Sequence, residues 1–270
     1  GIPFPLPKSG VEVIWNHMLR FRGEIAVRWV GQAAPTRGGQ YTLVQFDEET
    51  MFLYHLPSMA ADALRNRILL FKQAVTAPAR LAGGILLVHE TMNQIKQPRD
   101  AWLYNPGQRR VRRAPQVAYD NPGTASDNMR TSDQLDMFNG APDKYEWKLV
   151  GKQEIYVPYN SYRLQNPATK YKDILTPLHM NPDHLRYELH RVWVVDATLR
   201  QGQRHQAPKA RYYCDEDTWI CVLGDRWDGN GQLWKTLWAQ TFVAPDLPGN
   251  PISSFGFNDL LSGQGFAGNL

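Results

Sequence analysis

The residues best able to do chemistry fall into three groups. Arg109, Arg110, Arg112 and Arg113 follow the turn Asn105-Pro106-Gly107-Gln108 in the stretch WLYNPGQRRVRRAP (102–115). Guanidinium groups packed this closely can hold an anionic head group or a partner's acidic surface through charge-assisted bonds. Their commoner use is a solvated strand edge that resists aggregation. His184, Glu188 and His190 share parity, so on a strand they would share a face and could ligate a metal. A solvated polar face explains them more simply, because a catalytic zinc needs three converging ligands and an open position. Cys214 and Cys221 flank Glu216-Asp217-Thr218-Trp219 symmetrically. If that is a hairpin turn, opposed β-carbons lie about 4.5–5.5 Å apart, near the range a disulfide accepts. A Cys214–Cys221 disulfide is therefore expected, with two half-buried thiols as the alternative; a disulfide would imply an oxidising compartment.

Other motifs fail. His89-Glu90 begins a zincin-like string, but Asn93 stands where the second histidine belongs. There is no G-x-S-x-G. Asp215, Glu216, Asp217 and Asp225 lack the alternating spacing of a calcium loop. No catalytic residue, metal or other cofactor is identified, and an enzyme is not expected.

The chain has 270 residues, 43% hydrophobic and 21% charged, with a net charge of +4. That suits one globular core and is too little and too dispersed for nucleic acid. No apolar run reaches the length of a membrane span. The start, Gly1-Ile2-Pro3-Phe4-Pro5, is no signal peptide, and so abrupt a beginning implies that upstream residues were removed. Nine tryptophans call for a large core or a surface that holds apolar ligands.

The elements that would position these groups are mostly strands. Residues 11–20 read as a short amphipathic helix capped by Ser9 and Glu12, with Val11, Ile14, Trp15, Met18 and Leu19 on one face. Strands are expected at 24–30, at 40–55 (broken into a hairpin by Asp47-Glu48-Glu49), and at 79–92, with a bulge at Gly83-Gly84. Residues 60–71 are ambiguous. Residues 102–113 form a hairpin whose return strand Pro115 ends. A polar loop covers 119–128, and TSDQLDMF (131–138) reads as one helical segment. Strands follow at 145–157, 185–199, 212–217, 219–225 and 233–242, with a hairpin turn at Asp228-Gly229-Asn230-Gly231. The sum is about ten strands, nearly all joined by hairpin-length turns. The fold class is mainly β (α+β): a curved antiparallel sheet with an apolar concave face, covered by short helices. One domain is expected over 1–245, with a Pro/Gly/Ser-rich tail over 246–270.

At HLRYELHRVWVVDATLRQGQRH (184–205), followed by RYYCDEDTW, the chain resembles a family of large periplasmic proteins of Gram-negative bacteria. These are outer-membrane lipoprotein-sorting-like proteins, often encoded beside RND-type exporter permeases. GIPFPLPKSGVEVIWNHMLRFRG (1–23), WLYNPGQRRVRRAP (102–115) and DQLDMFNGAPDKYEWKLVGKQEIYVPYN (133–160) extend the resemblance over most of the chain. It implies kinship with the LolA/LolB-like carriers: an incomplete β-barrel whose apolar concavity binds acyl chains. Family members are usually longer at the N-terminus, and the two cysteines sit where aliphatic residues are expected.

The resemblance implies a periplasmic carrier or chaperone, free or membrane-associated, working with an RND-type permease and an outer-membrane protein. Its cargo would be a hydrophobic small molecule or acyl chain. Ile14, Trp15, Met18, Trp102, Tyr104 and Trp193 are the expected apolar lining. Arg109, Arg110, Arg112, Arg113 and Arg191 are the expected head-group or partner contacts. The alternative is a non-catalytic interaction module of an envelope transport complex, without a ligand of its own.

Overall fold

Alternating apolar and polar side chains put most of this chain into strands. The computed structural model describes residues 2–114, 120–123, 126–247 and 249–270. Pro115, expected to end a strand, lies outside them, as does Tyr119 at the start of the expected polar loop. A helix, α1 (Gly10–Leu19), precedes six strands. These are β1 (Ile25–Gln32), β2 (Val44–Phe52), β3 (Arg67–Ala77), β4 (Ile85–Thr91), β5 (Asp100–Asn105) and β6 (Arg110–Arg113), paired in that order. The second sheet contains β7 (Tyr145–Pro158), β8 (Tyr187–Leu199), β9 (Lys209–Asp215), β10 (Cys221–Trp227), β11 (Leu233–Thr241), β12 (Ile252–Asp259) and β13 (Gly265–Gly268), again in consecutive order. A one-turn helix, α2 (Tyr171–Ile174), lies in the β7–β8 connection.

All pairings are antiparallel, and the two sheets meet at one seam. Gly31 N–H donates to the Leu270 carbonyl at 2.7 Å, and Leu270 N–H donates back at 2.8 Å. Ala33 and Ala267 exchange two further bonds of 2.9 Å. β6 and β7 end the two sheets on the far side. The result is a mainly β, open, incomplete barrel with few helices. Among the described residues no helix is long and apolar enough to cross a membrane.

Register decides what faces inward. On β2, Phe46, Glu48, Thr50 and Phe52 are buried, while Asp47 and Glu49 face solvent. The acidic triplet expected to break this strand does not. Glu48 points inward to Arg28 (2.9 Å) and Gln73 (2.7 Å), so alternation absorbs it. Gly83-Gly84 is the turn between β3 and β4, not a bulge within a strand: Gly83 has φ +86° and both glycines bond back to Val75.

α1 lies against β7 and β8 on the inner face of the second sheet, so close that a Cβ on Gly10 would meet Val195 at 2.8 Å. Val13 and Ile14 are fully buried. So are Asn16, His17 and Arg20, which the helical pattern places off the apolar face. The helix is enclosed on both sides, and its amphipathic reading was too narrow for that. Trp15 stays half-buried.

The expected tail over 246–270 is a correction. Its Pro/Gly/Ser content suggested a tail, but 252–259 and 265–268 are strands, and Phe255, Phe257 and Phe266 enter the core. The return hairpin β5–β6 forms as expected, with Tyr104 opposite Val111. Cys214 and Cys221 stand opposite each other and are disulfide-bonded.

Two substitutions test this arrangement. Phe266→Ala should destabilise by about 3–5 kcal/mol in urea unfolding, where a tail residue would cost nothing. Ile14→Ala should cost about 2–5 kcal/mol and exceed Trp15→Ala, since only Ile14 is sealed.

Candidate functional site

The concave side of the half-barrel is occupied by the chain itself. Between β6 and β7, the stretch 126–141 runs through the interior with Thr131, Asp133, Gln134, Met137 and Phe138 buried. TSDQLDMF is not one helix. Thr131 and Gln134 form a capping box around a single 3-10 turn, and Asp136 (φ +51°) and Met137 (φ +68°) then turn left-handed. That break sends Asp133 and Asp136 in different directions, each to its own cation.

Asp136 meets the end of α1. Arg20 Nη2 donates to its Oδ1 at 2.6 Å and Arg22 Nη1 to its Oδ2 at 2.7 Å. Burial alone would raise the Asp136 pKa, but Arg20 and then Arg22 override it and hold the carboxyl well below the usual range. His17 Nε2 donates to the Asp136 carbonyl at 2.7 Å, and His17 Nδ1 accepts from Cys221 N–H at 3.1 Å. Burial, reinforced by Arg20, lowers His17 to about 4, so the ring is neutral.

Asp133 meets the second sheet. Its carboxylate lies 3.0 Å from His205 Nε2 and 3.5 Å from Arg226 Nη1, and accepts from Thr131 Oγ1 at 2.6 Å. Burial would raise it; Arg226 and the His205 bond hold it well below the usual range. Further anchors are Lys235 Nζ to Met129 O (2.7 Å) and Arg99 to Asn139 O (3.0 Å). Burial brings Lys235 down to about 7.

Where α1, residues 136–140 and the β3–β4 strands meet, a crevice remains. Trp15, Met18, Ile68, Leu69, Met92 and Phe138 form its apolar walls, and Arg22 and Asp136 its charged end. Its enclosed volume is about 10 Å³. A second crevice, at Leu175, Met180, Trp238 and Phe257, holds about 20 Å³. Ligand pockets usually span about 300–1,000 Å³, so neither takes an acyl chain without movement.

Of the six residues expected to line an apolar site, Trp15 and Met18 line this crevice. Ile14 is sealed beneath the helix. Trp102 and Tyr104 face outward on β5, opposite in register to buried Ala101, and Trp102 packs edge-on against His89 at 4.8 Å. Trp193 belongs to a separate group: it stacks on Trp219 at 6.3 Å with Lys152 over its ring at 4.3 Å. Arg109 (φ +51°) lies in the β5–β6 turn. Arg110, Arg112 and Arg113 are exposed on the β6 edge, and Arg113 pairs with Asp100. Arg191 pairs with Glu216 at 2.7 Å. The structure therefore brings none of the expected arginines to the crevice. It brings Arg22 instead, with Arg20 behind it on the same Asp136 carboxylate; sequence reasoning missed both, although two aspartates three apart in one short segment were a usable sign that cations await them.

The comparisons follow the geometry. A family described as "Protein of unknown function (DUF1329)" matches residues 1–270. The uncharacterized protein PA3922 of Pseudomonas aeruginosa is 53% identical over 264 residues, 97% of this chain; the chain spans 58% of that relative's length. A DUF1329 family protein from Desulfovibrio piger has a similar fold, with a TM-score of 0.62 and 14% identity over 96% of this chain and 88% of its own. A putative outer membrane lipoprotein-sorting protein domain from Vibrio parahaemolyticus scores 0.62 at 13% identity, over 96% and 89%. The LolA superfamily protein NE2245 from Nitrosomonas europaea scores 0.53 at 12% identity, over 97% and 91%. The half-barrel is thus LolA-like, and with the family pattern running its whole length this chain belongs to the DUF1329 family.

Proposed function

We propose that this protein is a non-catalytic periplasmic carrier or chaperone for an anionic lipid-like molecule. The observation that supports the reading best is the crevice at Trp15 and Met18: apolar walls ending at Arg22 and Asp136, with Arg20 on the same carboxylate behind them. Two guanidinium groups against one Asp136 leave a cationic excess in a sheltered place. An anionic head group that replaced Asp136 would meet both. The acyl chain would then lie along Met18, Leu69 and Phe138, gaining about 0.8 kcal/mol per methylene buried. Entry requires α1 and residues 136–140 to part, so the form described here is the closed one.

The kinship with a lipoprotein-sorting domain and a LolA superfamily protein supports this reading at the level of fold. In it, the exposed arginine edge, Arg109 to Arg113, contacts a partner: an RND-type permease or an outer-membrane protein taking over the cargo. A second reading has its own support. The filled concavity suits an interaction module of an envelope transport complex with no ligand.

Binding separates the two. Protein purified without detergent is titrated with a fatty acid and with a neutral lipophile of equal length. Saturable binding is expected, tighter for the acid, with Arg22→Gln removing most of the difference. If wild-type protein binds neither probe, the carrier reading falls and the interaction module replaces it.

The cluster of His17, Arg20, Arg22 and Asp136 also fixes a pH dependence. Unfolded, His17 takes a proton below about 6.5; folded, it refuses one down to about 4. The unfolded state therefore binds more protons in this window, and stability falls as pH drops from 6.5 toward 4, by about 3 kcal/mol in all. Asp136 and Asp133, held low, withdraw their contribution only below about pH 4. Urea unfolding across this range should show the loss, and His17→Gln should flatten it.

A further inference from the structure

Outside the crevice, one group of side chains has no use in the carrier reading. His190 on β8 and Asp215 and Asp217 at the β9–β10 turn each offer a ligand atom, all within 4.8 Å of one another. The sequence split them between two motifs that failed separately. His184, which parity grouped with His190, lies on a 3-10 turn (Pro182–His184) and not on the strand. Folding replaces it with two carboxylates from the disulfide hairpin.

We propose that His190, Asp215 and Asp217 form a binding site for a divalent transition-metal ion of the zinc class. Three observations carry this. First, Asp215 is fully buried, and among the described residues its one ionic partner is His190, with Nδ1 3.2 Å from Oδ1. Its other oxygen accepts from the Thr218 N–H (2.9 Å) and hydroxyl (2.7 Å). A buried carboxylate lacking a lysine or arginine calls for another cation.

Second, the other ring nitrogen of His190 faces Glu188 Oε2 at 3.4 Å, and Glu188 is itself held by Asn160 Nδ2 at 2.7 Å and by Arg186. A histidine with a carboxylate at each nitrogen is satisfied either as an imidazolium or with a metal ion in place of one proton. With a metal at Nδ1, Nε2–H donates to Glu188. Metal-bound histidines are oriented in just this way by an outer carboxylate. Third, the Tyr159 ring stacks on His190 at 4.0 Å and fixes its plane.

The donor set selects the ion. One imidazole nitrogen and two carboxylate oxygens suit zinc; calcium and magnesium prefer all-oxygen shells. Tetrahedral zinc bonds of about 2.0–2.2 Å put ligand atoms about 3.4 Å apart, close to the 3.2 Å between His190 and Asp215. Asp217 is exposed and needs only a small movement of the turn to close the third position. Water would complete the shell. Bound there, the ion would tie β8 to the turn beside the Cys214–Cys221 disulfide. This inference stands apart from the carrier reading and survives its failure.

The test uses the untagged 270-residue chain stripped with a chelator, then titrated with zinc chloride and, separately, calcium chloride. Calorimetry should give one zinc per chain and a raised melting temperature, with calcium at least tenfold weaker. Asp217→Asn, at an exposed position, should leave the metal-free melting temperature unchanged and weaken zinc at least tenfold. Glu188→Gln should weaken it about tenfold through ring orientation. No zinc binding, zinc binding untouched by Asp217→Asn, or calcium bound as tightly as zinc would each overturn the proposal.

Discussion

Two carboxylates inside a protein dominate this structure. Moving an ion out of water costs several kcal/mol unless partners repay it. Asp133 is buried and Asp136 largely so, three residues apart, and no single cation serves them. Arg226 on β10 and His205 in the β8–β9 connection serve the first; Arg20 and Arg22, where α1 ends, serve the second. The segment between the sheets is therefore located by charge at two points. Beside them, Phe138 packs edge-on against Trp147 and Tyr212, and Met137 joins the same core. Loss of Asp133 would strand the buried Arg226 and loss of Asp136 the buried Arg20, so helix, segment and sheet are coupled through these two carboxylates.

What could be read from the chain in advance was what neighbouring residues determine. The β5–β6 hairpin has its turn chemistry in four consecutive residues. The cysteines are placed by symmetry about one turn. The first helix has its period of apolar residues. Each failure involves a distant partner. Asp47-Glu48-Glu49 looks like a turn until Arg28 and Gln73 accept the central acid. Residues 131–138 look helical until Asp133 and Asp136 must face opposite ways. The C-terminal strands look like a tail because they are rich in glycine and serine. Yet Gly256 is there for closeness, since a Cβ would lie 2.6 Å from the Trp238 ring. The crevice was half legible, through Trp15 and Met18. Arg22 and Asp136, 114 residues apart, meet only in the fold.

A LolA-like half-barrel does not by itself say what lies in its concavity. Here the contents are a length of the protein's own chain, fixed by hydrogen bonds and ion pairs as much as by apolar contact. Apolar filling would seal such a space without discrimination. Polar anchoring leaves a defined set of bonds that an anion of suitable shape can take over, so a filled concavity and a ligand site are compatible.

The same geometry determines how such an opening would proceed. His17 accepts from Cys221 and donates to the carbonyl of Asp136, whose carboxylate holds Arg20 and Arg22. The disulfide hairpin, α1 and the interior segment thus converge on one imidazole that burial keeps neutral. Moving the segment alone would orphan His17 Nε2, and moving the helix alone would orphan the Cys221 amide. Each broken bond leaves a buried polar group unpaired, which costs about 1–3 kcal/mol. Partial opening is therefore disfavoured.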